Sequence, residues 1–391
     1  MPPKHHVYLI PGFFGFANLG DLKYFAHVTE VLSNSFLRLG IDAQVHNVTT
    51  SPTAAVLSRA VRLLDTIHAT AADDDGPIHL IGHSSGGLDA RLLVAAGASL
   101  GTGIPAERYA TRVRSVVTVA TPHRGTPIVS MFISLFGARV LQLLSLGMIY
   151  TLRYGRLPLG VLVKMGGVLV RLDNSSGQDA LDQLYGELLH DFSDERQQAI
   201  RDFFAEVGED QGLLTQLLPE GMDVFNALTR DQADVRYGCV LTRGRRPGVS
   251  STISAGLGGY AQASHALYAA LYQLAARTPL NRAPSPKPQQ LQAMLRTWGD
   301  VPDIRANDGI VPTLSQLHGD VICAVTADHH DVIGHFNDPD CHPPHFDWIT
   351  SGSGFKRAEF ERLWSSVATW IHAGVAVEQV ESAQERDRAA S

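Results

Sequence analysis

Three residues of this chain could together activate a hydroxyl group: Ser84, Asp308 and His329. Ser84 is the centre of Gly82-His83-Ser84-Ser85-Gly86, a Gly-x-Ser-x-Gly. A serine hydroxyl is a poor nucleophile until it is lifted clear of its neighbours, given a base, and set beside the N-terminal amides of a helix. The apolar run Ile78 to Ile81 predicts a buried strand before the motif, and Leu88 to Ala96 predicts a helix after it. A sharp strand-to-helix turn would do the lifting, with the flanking glycines letting other backbone pass close to the serine. Read alone, the five residues equally suit a small-residue helix start; their setting favours the nucleophile. Asp308 stands in a turn, Asn307-Asp308-Gly309, and His329 follows the apolar run Val321 to Thr326 in Asp328-His329-His330-Asp331. In these roles His329 would take the serine proton and return it to the leaving alcohol, and Asp308 would fix the imidazole tautomer. Ser85 is a rival nucleophile one place off the motif centre, and His330 and His335 are rival bases.

The elements that must position these residues can be read from the pattern around them. A first strand, His6 to Ile10, leads into Pro11-Gly12-Phe13-Phe14-Gly15. A glycine-rich loop at the carboxyl end of a parallel strand is where ligands sit. The backbone N–H groups of Phe13 and Ser85 are therefore the candidate oxyanion donors, although an ordinary strand-to-helix turn would have the same composition. A helix over Asp21 to Leu39, a strand over Ala43 to Val48, a helix from a Ser51 cap to Ala69, the Ser84 strand and a strand over Arg114 to Ala120 follow in order. Strands alternating with helices predict a mainly parallel sheet covered on both faces, an α/β fold. The core is expected in two parts, residues 1–126 and 236–375, with a helical lid or cap inserted at 127–235 and a disordered tail at 376–391.

Within the insertion, Ile128 to Leu172 is strongly apolar and carries no acidic residue. Val129, Phe132, Ile133, Phe136, Val140, Leu143 and Leu144 would share one helical face, with Ser130, Ser134, Ala138, Gln142 and Ser145 opposite. Arg139 near its middle argues against a transmembrane span. A buried cap helix and a mobile lid that covers the serine and touches lipid both fit. Asp173 to Asp234 reverses the charge and reads as two or three solvated helices broken at Pro219 and Gly221. The net charge of -7 argues against nucleic-acid binding, and three cysteines suggest no disulfide framework. No apolar signal core precedes the first strand, so the chain as written reads as cytoplasmic, or as a mature form whose leader has been removed. Oligomeric state is not addressed by the sequence.

Four stretches resemble the bacterial true-lipase families of the α/β-hydrolase superfamily. They are Leu80 to Gly87 with Asp89-Ala90-Arg91, Thr121-Pro122-His123-Arg124-Gly125, Asn307 to Val311, and Asp328 to Asp331. The resemblance implies an α/β-hydrolase fold, a mobile helical lid and hydrolysis of apolar carboxylic esters at oil–water interfaces. It assigns the triad to Ser84, Asp308 and His329, with no cofactor for catalysis. It also implies a structural calcium in some members, held by an Asp two places after the catalytic His, where Asp331 stands. Two departures are visible: Pro11-Gly12 replaces a His-Gly pair, and His335 replaces a Gln. Side chains able to bind zinc crowd one Pro-rich loop (His335, Asp338, Asp340, Cys341, His342, His345, Asp347), but their irregular spacing suits a polar loop bordering the site better than a metal centre. The expectation is a lipase or esterase. Acyl transfer or polyester depolymerisation would use the same residues, and a non-catalytic lipid- or partner-binding protein could use the same fold.

Overall fold

The computed structural model describes residues 4–13, 24–97, 99–133, 135–170, 178–279, 284–340 and 345–389. The first part of the chain runs β1 (His5–Ile10), α1 (Val28–Arg38), β2 (Ala43–Asn47), α2 (Val56–Ala71), β3 (Ile78–His83), α3 (Gly86–Leu93), α4 (Ala106–Ala110) and β4 (Val113–Val119). An all-helical insertion follows: α5 (Val129–Phe132), α6 (Leu135–Tyr154), α7 (Leu159–Val170), α8 (Gln178–His190), α9 (Asp194–Glu209), α10 (Gly212–Gln216) and α11 (Pro219–Leu228). The core resumes with β5 (Arg236–Thr242), α12 (Val249–Ala255), α13 (Gly259–Ala275), α14 (Pro288–Trp298), β6 (Asp320–Val325) and α15 (Arg357–Ala389).

The six strands form one parallel sheet in the order β2-β1-β3-β4-β5-β6. Its central strands are buried on both faces, which is why they read as apolar runs. The strand period of two divides them cleanly. Val7 and Leu9 of β1 join the larger core cluster, and Tyr8 and Ile10 join the cluster under α2. The larger cluster continues without a break into the insertion through Val140, Leu144, Leu146 and Ile149. The insertion therefore shares the main core.

Several local expectations are corrected. The helix expected from Ser51 starts at Val56 instead. The carbonyl of Ser51 is engaged by Arg59 Nη1 at 2.9 Å, and the first-turn N–H groups of Ala55 and Val56 are met by Asp210 Oδ2 and Gln216 Oε1 from the insertion. Pro219 and Gly221 do not break a helix. Pro219 opens α11, where its fixed φ suits the first position, and Gly221 lies against the carbonyls of Thr215 and Gln216 in α10. The single amphipathic cap helix is two helices, α5 and α6, so its two faces do not run through. Ser145 is buried and Ile133 is exposed, because α6 packs against both the core and α8. The last helix, α15, runs to Ala389, and the Ala, Glu, Gln and Arg content of 376–389 is that of strong helix formers.

Candidate active site

The site lies where the carboxyl ends of β1, β3, β5 and β6 meet. β3 delivers Ser84, whose φ of 53° is left-handed and so uncommon for a residue with a Cβ. Its N–H donates to the carbonyl of Val119 on β4 at 2.8 Å, which extends the sheet by one residue before the chain turns into α3. That turn needs small neighbours. A Cβ on Gly82 would stand 2.3 Å from the backbone of Gly86, and one on Gly12 would stand 2.5 Å from the Cβ of Ser84. The loop after β1 is thus pressed directly against the nucleophile candidate. Ser85 is the N-cap of α3, so its N–H lies outside the helix's own ladder. Among the described residues its hydroxyl is buried with no hydrogen-bond partner, and Ser85 does not line the cavity that Ser84 and His329 share.

Asp308 is completely buried and its carboxylate is saturated with donors. Oδ1 accepts the N–H groups of Ile310 and Val311 at 3.0 and 2.7 Å. Oδ2 accepts the Thr242 hydroxyl at 2.6 Å, the Gln316 amide at 3.2 Å and His329 Nδ1 at 2.8 Å. With Nδ1–H committed to Asp308, the other ring nitrogen of His329 is left as a proton acceptor. His329 N–H also donates to the Asp308 carbonyl at 3.0 Å, so the two loops are tied at backbone and side chain together.

Ser84, His329 and Phe13 line one apolar cavity with Ile128, Val129 and Phe132. It holds about 20 Å3, room for a single water. The insertion is therefore shut over the serine. Phe14 and Gly15 lie outside the described residues.

A second layer holds this arrangement, and two parts of it, the Tyr24–His83 pair and Arg59, were not singled out from the sequence. Gly12 N–H donates to the Tyr24 hydroxyl at 3.0 Å, that hydroxyl donates to His83 Nδ1 at 2.7 Å, and His83 Nε2–H donates to the His329 carbonyl at 2.9 Å. The carbonyl can only accept, which fixes the direction of the chain. Burial drives the His83 pKa well below the usual value and keeps the ring neutral. His335, a rival base in the sequence, donates Nε2–H to the Tyr24 carbonyl at 2.8 Å, and His330 packs against Trp348. Neither lines the serine cavity. Arg59 of α2 is the other member. Its Nε lies 3.1 and 3.0 Å from the carboxylate oxygens of Asp89 in α3, and its Nη2 donates to the Pro11 carbonyl at 2.6 Å. Both side chains of the pair are fully buried, and burial outweighs the guanidinium and raises the Asp89 carboxyl to about 6. A lone Arg in an amphipathic helix gives no sequence signal of this role.

No protein-family model matches the sequence, and no curated protein matches it. Solved structures do. A lipase from Staphylococcus hyicus is 16% identical over 97% of each chain, with a TM-score of 0.50. EstA from Clostridium botulinum is 18% identical over 94% of this chain and 87% of its own, with a TM-score of 0.51. Lipase 1 from Pelosinus fermentans is 17% identical over 94% and 99%, with a TM-score of 0.50. The chain has the α/β-hydrolase fold.

Among the described residues, the side chains of the Pro-rich loop that could bind zinc do not gather into one ligand set. Cys341 and His342 lie outside the described residues, His335 faces Tyr24, and Asp347 turns away to meet Asp328 and Asp331. Each of these three buried aspartates offers an oxygen, and the three lie within 4.8 Å of one another. Among the described residues, Asp328 Oδ2 has no hydrogen-bond partner. Burial raises the Asp328 carboxyl to about 7 and pushes Asp331 and Asp347 well above the usual carboxylate range, with mutual repulsion adding to it. Anionic oxygens alone, without thiolate or imidazole, fit a hard cation such as calcium. Among the described residues, no helix is long and apolar enough to cross a membrane.

Proposed function

We propose that this hydrolase cleaves carboxylic esters of apolar acyl chains through an acyl-enzyme. The observation that carries the reading is the buried Asp308–His329 pair, 2.8 Å apart, with His329 lining the same apolar cavity as a left-handed Ser84. His329 takes the Ser84 proton as Oγ attacks the ester carbonyl, and Asp308 stabilises the imidazolium that forms. The N–H groups of Phe13 and Ser85 receive the oxyanion, each worth roughly 3 kcal/mol of transition-state stabilisation. The proton passes to the leaving alcohol, and water repeats the sequence on the acyl-enzyme. An apolar cavity with room for one water calls for α5 and α6 to move before an acyl chain can enter. Turnover of p-nitrophenyl esters from acetyl to palmitoyl, with fluorophosphonate labelling, tests the reading. The expected outcome is one label on wild type, none on Ser84→Ala, and turnover that rises with chain length and with substrate aggregation. Equal labelling of both proteins would overturn the assignment.

We also propose that Asp328, Asp331 and Asp347 hold a structural calcium. Its part would be to neutralise the three carboxylates and join the His329 loop to the loop carrying Asp347. Chelation should lower the melting temperature of wild type, and calcium should restore it. Asp347→Asn should melt at one temperature under both conditions; a wild type indifferent to chelator would sink the idea.

A further inference from the structure

The charge of this chain is unevenly distributed. It is -7 overall, yet there is no acidic residue between Glu107 and Asp173, and none between Asp234 and Asp300. The fold puts these two stretches together. α7 from the first packs along α13 from the second, and Leu157 N–H at the approach to α7 donates to the Tyr260 hydroxyl at 3.4 Å. A Cβ on Gly259 would touch Leu159 at 3.7 Å. The start of α7 therefore abuts the turn between α12 and α13.

This acid-poor face carries large apolar side chains in the open. Val249 and Ile253 lie one turn apart on α12 and are 79% and 61% exposed; Leu257, just past the helix end, is 83% exposed. Leu159 and Val163 of α7 are exposed one turn apart as well. Burial explains none of them, and a row of such residues marks a surface that meets something apolar. Basic residues flank the row. Arg245 and Arg246 precede α12 and are exposed, Arg245 reaching Ser254 of that helix at 3.2 Å, and exposed Arg156 precedes α7. Of the nearby acids, Glu187 pairs with Lys164 and Asp300 with Arg243, while Asp303, in the same hollow as Arg245 and Arg246, accepts the N–H groups of Arg305 and Ala306 on Oδ1.

We propose that α12, the turn after it and the start of α7 form a docking surface for an anionic lipid interface. Exposed apolar residues beside arginines supply the two signals that stable interfacial binding requires, insertion and charge attraction. A neutral apolar partner would not need the arginines, and a second copy of this face would oppose like charges. The surface is distinct from the serine cavity, and α7 belongs to the insertion that closes that cavity, so docking would bring the cover to the lipid.

Flotation with vesicles tests this without any turnover, so its failure is separable from failure of the esterase reading. The full chain should float with an equal mixture of phosphatidylcholine and phosphatidylglycerol, stay behind with phosphatidylcholine alone, and be released at high salt. Ile253→Asp with Leu257→Asp, and separately Arg245→Glu with Arg246→Glu, should each cut the bound fraction more than tenfold at an unchanged melting temperature. Equal binding to both vesicles, binding to neither, or variants that float like wild type would each overturn the proposal. So would a wild-type dimer in sedimentation that Ile253→Asp dissolves, since a second copy would then cover the face.

Discussion

The two ends of the insertion meet the core by different physics. The far end is stitched on by directional bonds. The Thr53 hydroxyl donates to the Val207 carbonyl at 2.9 Å, Leu213 N–H donates to the Thr53 carbonyl at 3.0 Å, and Thr126 N–H donates to the Leu217 carbonyl at 3.0 Å. The Asn226 amide adds a bond to the His123 carbonyl at 2.7 Å. The near end, α5 and the start of α6, meets the serine cavity with Ile128, Val129 and Phe132. Hydrogen-bond arrays hold one geometry and fail when displaced, whereas apolar contacts are non-directional and can be exchanged for other apolar contacts, including lipid. The part of the cover suited to yield is thus the part over the serine. The site beneath follows the opposite rule, with every acceptor of Asp308 pinned.

That contrast can be broken or sharpened by experiment. The largest effects should come from the pinned site. Ser84→Ala should lower turnover by roughly a million-fold, and Asp308→Asn by roughly ten-thousand-fold, read by ester kinetics. Comparable losses from changes in α5 would mean that the cover is part of the chemistry. Next comes Arg59→Met, which strips the buried Asp89 carboxylate of the guanidinium that pairs with it. It should cost about 3–5 kcal/mol by denaturant unfolding and depress turnover through the Pro11 loop. A neutral result would show the pair to be dispensable.

Acid should act on the core next. Burial holds His79 down to about 3 and keeps His83 and His123 well below the usual value, so all three are neutral when folded. Their folded pKa is depressed, so the unfolded chain takes up the extra protons. The stability these three contribute is complete above about pH 6.5 and is lost as the pH falls toward the folded values. Each histidine should cost about 1.4 kcal/mol per pH unit over that range. The carboxyls raised by burial, Asp89, Asp328, Asp331 and Asp347, take up protons in the folded chain and oppose this over the same range, so the check is a difference: His79→Asn should lose less stability than wild type on going from about pH 6.5 to about 5, and an identical pH profile for the two would contradict it. The smallest effect is Thr53→Val, which removes one stitch worth about 1 kcal/mol. Hydrogen exchange should quicken several-fold in α9 and α10 and stay unchanged in α6. Uniform quickening would mean that the insertion moves as one piece and the contrast is false.

The sequence by itself determined the parallel sheet, the strand–turn–helix around Ser84, the acid-free first part of the insertion and the order of Ser84, Asp308 and His329. These follow from periodicity, from the glycines a tight turn demands, and from turn residues next to apolar runs. All are local signals. Tertiary structure decided what local signals do not carry. The start of α2 is set by Asp210 and Gln216, side chains distant in sequence that meet its first amides. Asp347, read as part of a polar loop bordering the site, joins Asp328 and Asp331, because only the fold brings their carboxylates together. His83 sits inside the motif as an ordinary x position; its bonds to Tyr24 and to the His329 carbonyl exist only once three loops converge. A hydrogen bond between distant residues leaves no period in the chain, so it is decided by packing.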